Sequence, residues 1–122
     1  MIDYKIGDVL YTTGGYNCTI VEFYKVVART AKTLTVQPIE SKVVDGDPMR
    51  TYRVVADETK VRTKCYTKSN KGGIVLSDSE PFKVFINRSG YAVLSERFVT
   101  AGGNVLYIWD GTPEWANTGF AG

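Results

Sequence analysis

The run from Thr19 to Arg29, TIVEFYKVVAR, narrows most sharply what this chain can fold into. β-branched and aromatic residues dominate it, which suits a pleated strand rather than a helix. As a strand it is apolar on both sides, with Val21, Phe23 and Val27 on one face and Ile20, Tyr24 and Val26 on the other. Two apolar faces must both be covered, so such a strand is central, or wrapped inside a barrel or dimer. It lies within a longer stretch, Gly7 to Val44, where a first strand-like run breaks at Gly14-Gly15 and restarts. Tyr11, Tyr16, Phe23 and Tyr24 cluster around that break.

Strand and turn signals alternate along the rest of the chain. Asp8 to Thr12 makes a short strand. Lys32 to Gln37 sets Leu34 and Val36 against Thr33, Thr35 and Gln37, and only Thr30 and Ala31 separate it from the preceding strand, which predicts a hairpin. Ser41 to Val44 continues that strand past Pro38, which can sit only at an edge or bulge. Asp45-Gly46-Asp47-Pro48 is a turn by its residue types. Strands are then predicted at Thr51 to Val55, Val61 to Thr67, Ile74 to Leu76, Phe82 to Ile86, Tyr91 to Leu94 and Asn104 to Trp109. Lys68 to Gly73 is a polar loop, and Asn87-Arg88-Ser89-Gly90 a hairpin turn. Glu96 to Thr100 fits a short helix or a strand.

Nowhere does an apolar i, i+3, i+4, i+7 pattern persist over three turns. The expected fold is therefore all-β or nearly so, a small antiparallel barrel or sandwich of short strands with hairpins and at most one short helix. Its 122 residues make a single domain, 1–122. The aromatic tail, 110–122, carries Trp115 and Phe120 and is expected to pack on the domain or on a partner subunit. Such a contact favours a homo-oligomer, dimer or higher.

The chain contains no histidine, which removes imidazole bases and mixed Cys/His zinc sites from consideration. Asp57 and Glu58 are adjacent and point to opposite sides of a strand, which spoils a shared acid–base pair. Neither Cys18 nor Cys65 has an activating base nearby in sequence, and both are expected to be reduced. No enzyme, catalytic residue, cofactor or metal is therefore expected. A net charge of +2 is too small to drive nucleic-acid binding by total charge. The N-terminus lacks the pattern of a signal peptide and no segment is apolar enough to span a bilayer, so a cytoplasmic protein without membrane contact is expected.

Three groups of residues are candidates for binding. Lys60, Arg62, Lys64 and Lys68 recur at even spacing with Tyr66 among them, so on a regular strand all five share one face. That row suits a phosphate-bearing ligand with a ring for stacking, or equally a solvated face protected by lysines against edge pairing. Arg50 and Arg53 flank Tyr52 after the Asp-Gly-Asp-Pro turn, where they could hold a diphosphate or pair with Asp45 and Asp47. Gly14-Gly15-Tyr16-Asn17 lacks the spacing of phosphate-cradling loops, but Tyr16 and Asn17 offer a ring and an amide to a base edge.

The stretch from Gly7 to Val44 and the tail WDGTPEWANTGFAG resemble a family of small proteins from phages and mobile elements. In that family a Gly-Asp strand leads to a W-G-Y-[DN]-x-T turn and a Phe-Tyr-x-Val-Val strand, and a W-D-G-x-P segment closes the chain. The matching positions are Gly15, Tyr16, Asn17, Thr19, Phe23, Tyr24, Trp109, Asp110, Gly111 and Pro113. Gly14 stands where the pattern has tryptophan, and Cys18 where glutamine is common. The resemblance implies an accessory protein that acts by binding inside the bacterial host. On that footing the expected function is anti-defence sequestration of a nucleotide-like small molecule, a cyclic dinucleotide or cyclic ADP-ribose derivative. The expected ligand-binding set is Tyr16, Asn17, Phe23, Tyr24, Arg50, Arg53, Arg62, Lys64, Tyr66 and Trp109. A protein-binding inhibitor of a host defence factor and a nucleic-acid-binding β-barrel are the alternatives.

Overall fold

A computed structural model of the chain describes residues 3–14, 20–47, 51–62, 64–68, 74–78, 80–94 and 105–117. Among these there are ten strands and no helix. They are β1 (Val9–Gly14), β2 (Ile20–Arg29), β3 (Thr33–Gly46), β4 (Thr51–Val61), β5 (Lys64–Lys68), β6 (Ile74–Asp78), β7 (Phe82–Ile86), β8 (Ala92–Val93), β9 (Val105–Ile108) and β10 (Glu114–Asn117). The predicted short element at 96–100 lies outside the described residues. No helix among the described residues is long and apolar enough to cross a membrane.

Six strands close on themselves. The order β3-β2-β1-β9-β8-β7 is completed by pairing of β3 with β7, and every pairing is antiparallel. The result is a small barrel, as expected from the double-faced strand. Its interior holds Leu10, Tyr24, Val26, Leu34, Val36, Val84, Ala92, Leu94 and Leu106, with Phe82 and Ile86 packed against them. Tyr4, absent from the sequence reading, plugs this core. It is fully buried, its hydroxyl donates to the Leu106 carbonyl at 2.8 Å, and it accepts from the Ala92 amide at 2.9 Å.

A second layer covers only part of the barrel. β4 pairs with the far half of β3, and β10 pairs with β4, forming a flap. Val54 and Ala116 of the flap pack on Val9, Val21, Phe23 and Ile39 beneath it. The two faces of β2 thus enter two cores, Tyr24 and Val26 inside the barrel and Val21 and Phe23 beneath the flap. Val27 departs from the expected face: the register shifts between Val26 and Ala28, and Val27 is left in the bulge, substantially exposed.

β3 runs unbroken through Pro38, because the proline sits where β3 changes partners. Thr33 to Val36 pair with β7, and from Ile39 onward the partner is β4. No ladder donor is required at the gap between them, so the missing N–H costs nothing. The Pro38 carbonyl is used, accepting from the Arg62 amide at 3.1 Å.

The hairpin predicted at Thr30-Ala31 forms, with the Thr30 amide bonded to the Thr33 carbonyl at 2.9 Å. At the β7–β8 turn, Asn87 Oδ1 accepts from the amides of Ser89 and Tyr91, both at 3.0 Å. Of the C-terminal segment, β10 pairs with β4, with Ala116 buried and Trp115 opposite Arg53, and residues 118–122, Phe120 among them, lie outside the described residues.

Candidate functional site

The predicted basic row does not form one face. A continuous strand from Val61 to Thr67 would have aligned it, but β4 ends at Val61 and β5 begins at Lys64 in another sheet. The Arg62 amide is tied to Pro38, and its guanidinium folds over the barrel, 5.2 Å from the Tyr24 ring centroid and 3.3 Å from Glu22 Oε2. Lys60 remains on β4. Lys64 and Tyr66 lie on β5, which pairs with β6 in a separate two-stranded sheet, Lys64 opposite Asp78 and Tyr66 opposite Leu76.

Three aromatic residues of the expected set, Phe23, Tyr24 and Trp109, are committed to packing. Phe23 is fully buried beneath the flap and meets Trp109 edge-to-face, centroids 5.2 Å apart. The Trp109 indole N–H donates to the Thr112 carbonyl at 2.8 Å, so the resembling WDGTP segment is a packed turn. Within that turn Asp110 Oδ1 accepts from the Thr112 amide, and Gly111 adopts a positive φ of 92°. Tyr24 lies inside the barrel with its hydroxyl on Glu22 Oε2 at 2.8 Å. Burial, and then the Glu22 charge, push its pKa well above that of an ordinary tyrosine, against the Arg62 charge.

Arg53 is engaged as well. Its guanidinium pairs with Asp45 on one side and lies 5.0 Å from the Trp115 ring on the other. Of the two readings offered for this arginine, pairing with Asp45 is the one the structure adopts. The Arg53 hydrogen bond, the Gly46 amide and the Arg53 charge hold the Asp45 carboxyl below the usual range. The structure therefore joins Phe23 with Trp109 and Tyr24 with Arg62, in different cores, and sets Arg53 apart from both. Tyr16, Asn17 and Arg50 lie outside the described residues.

A different feature offers open space. Ile39 pairs with Val61, whereas the next residue, Glu40, pairs with Asp57. Residues 58–60 are therefore extra on β4 and bulge out of the ladder. Asp57 Oδ1 stabilises the bulge by accepting from the Thr59 amide at 3.1 Å and from the Thr59 hydroxyl. Lys25 of β2 anchors it from outside through Glu58 at 3.4 Å. Over the bulge lies an open groove of about 640 Å³, lined by Glu40, Ser41, Lys42, Asp57, Lys60 and Val61.

The groove brings two ammonium groups, two carboxylates and a hydroxyl together on a rigid pair of strands. Among the described residues neither Lys42 nor Lys60 makes an ion pair. The Asp57 carboxyl is held below its usual range, first by the Thr59 hydroxyl and, more weakly, by Lys60 and Lys42. It stays ionised at neutral pH. Sequence reasoning included Lys60 only within the row, weighed Asp57 only as half of a rejected acid–base pair, and did not connect the two. The bulge is a matter of cross-strand register, for which the sequence carries no local signal.

Compared with protein-family models, curated proteins and solved structures, the chain matches none of them.

Proposed function

We propose that this protein is a non-catalytic binding protein that sequesters a nucleotide-type small molecule, in the manner of a phage anti-defence protein. The observation that carries the reading is the groove over the β4 bulge. Its volume of about 640 Å³ is in the range of small-molecule sites. Lys42 and Lys60 offer point charges to phosphate, and Glu40 and Asp57 offer acceptors to ribose hydroxyls or exocyclic amines. No reaction is assigned.

The test is a thermal-shift and calorimetric screen against cyclic dinucleotides and cyclic ADP-ribose derivatives, with Lys42→Ala and Lys60→Ala beside the wild type. One nucleotide class should raise the melting temperature, and both variants should bind it at least tenfold more weakly while melting normally without ligand. Binding that ignores both substitutions would remove the groove from the site. Failure of every class to bind would remove the nucleotide reading.

One observation favours a nucleic-acid reading as the second choice. β5 places Lys64, Tyr66 and Lys68 at alternate positions of a ribbon that, among the described residues, pairs only with β6. That reading requires affinity for single strands to fall steeply with salt, which a small-molecule binder would not show for its own ligand to the same degree.

A further inference from the structure

We infer that Trp115 is the base-stacking side chain of a site that continues from the groove across the outer face of the flap, and that the ligand of this extended site is a cyclic dinucleotide. The inference rests on the groove being the phosphate-binding end of a nucleotide site, as proposed above.

Register places the groove and Trp115 on one face. Tyr52, Val54 and Ala56 of β4 turn inward onto the core beneath the flap, so Arg53, Val55 and Asp57 turn outward. On β3, Glu40 stands opposite Asp57, Lys42 opposite Val55 and Asp45 opposite Arg53. On β10, Ala116 is buried, and Trp115, opposite Arg53, faces out. Lys60 lies in the bulge beyond Asp57, before Val61 rejoins the ladder opposite Ile39. From the bulge onward the outer face therefore carries Lys60, the Glu40–Asp57 pair and Lys42, and then Asp45, Arg53 and Trp115 in a row across three strands. Asp57 and Arg53 are separated along β4 by about 13 Å.

The row that ends in Trp115 suits a ring rather than a phosphate. The Arg53 charge is met by Asp45, and the guanidinium lies 5.0 Å from the centroid of the Trp115 ring. That contact and the β10–β4 ladder hold the indole in place, yet Trp115 is 57% exposed. β10 is the outermost strand of its sheet, so among the described residues no further strand covers the indole from that side. A large ring fixed on one side and open on the other is a stacking surface for a base. Because it is already held, less side-chain freedom is lost when a ligand stacks on it.

The order of the charges selects the ligand. Lys42 and Lys60 lie on either side of the Glu40–Asp57 pair. They suit two separate phosphates, with sugar hydroxyls donating to the carboxylates between them. A cyclic dinucleotide has this arrangement, because riboses set its two phosphates apart and its bases project from the ring so formed. Stacking one base on Trp115 leaves the phosphates to the lysines. The pyrophosphate of a cyclic ADP-ribose derivative would bring both phosphates to one place, and a mononucleotide has too few phosphates to use both lysines.

Calorimetry and tryptophan fluorescence of the full chain, with cyclic di-AMP, cyclic di-GMP, cyclic ADP-ribose and AMP as probes, test the assignment. One or both cyclic dinucleotides should bind at least tenfold more tightly than the other two probes and should quench indole emission. Trp115→Leu should weaken that binding at least tenfold and remove the quenching. Trp115→Phe keeps a ring and should retain most of the affinity, which separates stacking from any effect on the folding of β10. Dinucleotide binding that depends on Lys42 and Lys60 but ignores Trp115→Leu would overturn the inference while leaving the groove reading intact. So would equal losses from Trp115→Leu and Trp115→Phe, or a preference for cyclic ADP-ribose or AMP. Absence of binding by every probe would overturn both readings.

Discussion

The Arg62 guanidinium lies over the ring of Tyr24, 5.2 Å from its centroid, and so covers one side of the largely apolar barrel core. Glu22 completes the arrangement by accepting from both, at 2.8 Å from the Tyr24 hydroxyl and 3.3 Å from Arg62. Arg62 Nε is buried without a hydrogen-bond partner, so the contact is made with the flat face and one amino group of the guanidinium.

Removal of this side chain should destabilise the fold. Arg62→Ala exposes the Tyr24 ring and leaves Glu22 without its cation, a loss of about 1–3 kcal/mol for a hydrogen bond to a charged group. Arg62→Met keeps the aliphatic cover and should lose less. Urea unfolding of the three proteins measures the difference. Equal losses would show that the charge, rather than the packing, carries the interaction.

Tyr24 also makes stability depend on alkaline pH. Burial and then Glu22 raise its pKa in the folded state, so the folded protein holds the phenolic proton more tightly than the unfolded chain. The resulting stabilisation is complete below the ordinary tyrosine value of about 10. It is lost as the pH rises above that value toward the folded one. Tyr4, raised mainly by burial, acts with the same sign. Urea melts from roughly pH 8 to 11 should therefore show stability falling at the alkaline end. Tyr24→Phe should flatten that decline, and Tyr4→Phe with it should flatten it further.

Tyr4→Phe at neutral pH probes the plug alone. The ring volume stays, but the buried Leu106 carbonyl and Ala92 amide both lose their partner. A buried polar group left unsatisfied costs about 1–3 kcal/mol. A drop of that size in unfolding free energy is expected. A change within about 0.5 kcal/mol, as at an ordinary surface position, would mean that water replaces the hydroxyl.

Gly46→Ala should be costly although the turn is exposed. Gly46 has a φ of 91°, and an added Cβ would come within 2.5 Å of the Thr51 carbonyl oxygen and 2.7 Å of Tyr52 Cα. Both are backbone atoms and cannot rotate away. The left-handed conformation alone costs about 1–3 kcal/mol for a residue with a side chain. Thermal unfolding should register the loss. Gly111→Ala, at a φ of 92° with nothing within 4 Å, separates strain from clash and should cost less.

The strand content was legible because local rules govern it. Alternation in Lys32 to Gln37 marked Leu34 and Val36, and both lie in the barrel core. The apolar faces of Thr19 to Arg29 required two covers, and the chain supplies a barrel interior and a flap. Turn chemistry at Asn87 to Gly90 named its hairpin correctly, since the backbone conformation there depends on the residues themselves, whereas Asp45 and Gly46 of the turn expected at 45–48 still belong to β3 and Pro48 lies outside the described residues. The site was less legible. Phe23, Tyr24 and Trp109 are apolar enough to serve a ligand or a core, and periodicity cannot distinguish the two.

By itself the sequence determined that this chain forms short antiparallel strands, that β2 is covered on both faces, and that the backbone turns between Asn87 and Gly90. These outcomes follow from side-chain period and backbone sterics within a few residues. The tertiary structure decided which strands meet, and everything at the surface follows from that. The bulge of β4 with its groove lies beside the exchange of partners at Pro38, and Arg62 is held away from the basic row by Glu22, forty positions earlier in the chain. Closure of β7, β8, β9 and β1 into one curved wall gathers Tyr11, Tyr91 and Tyr107 from separate segments. Such contacts join residues far apart in the chain, and no local pattern encodes them.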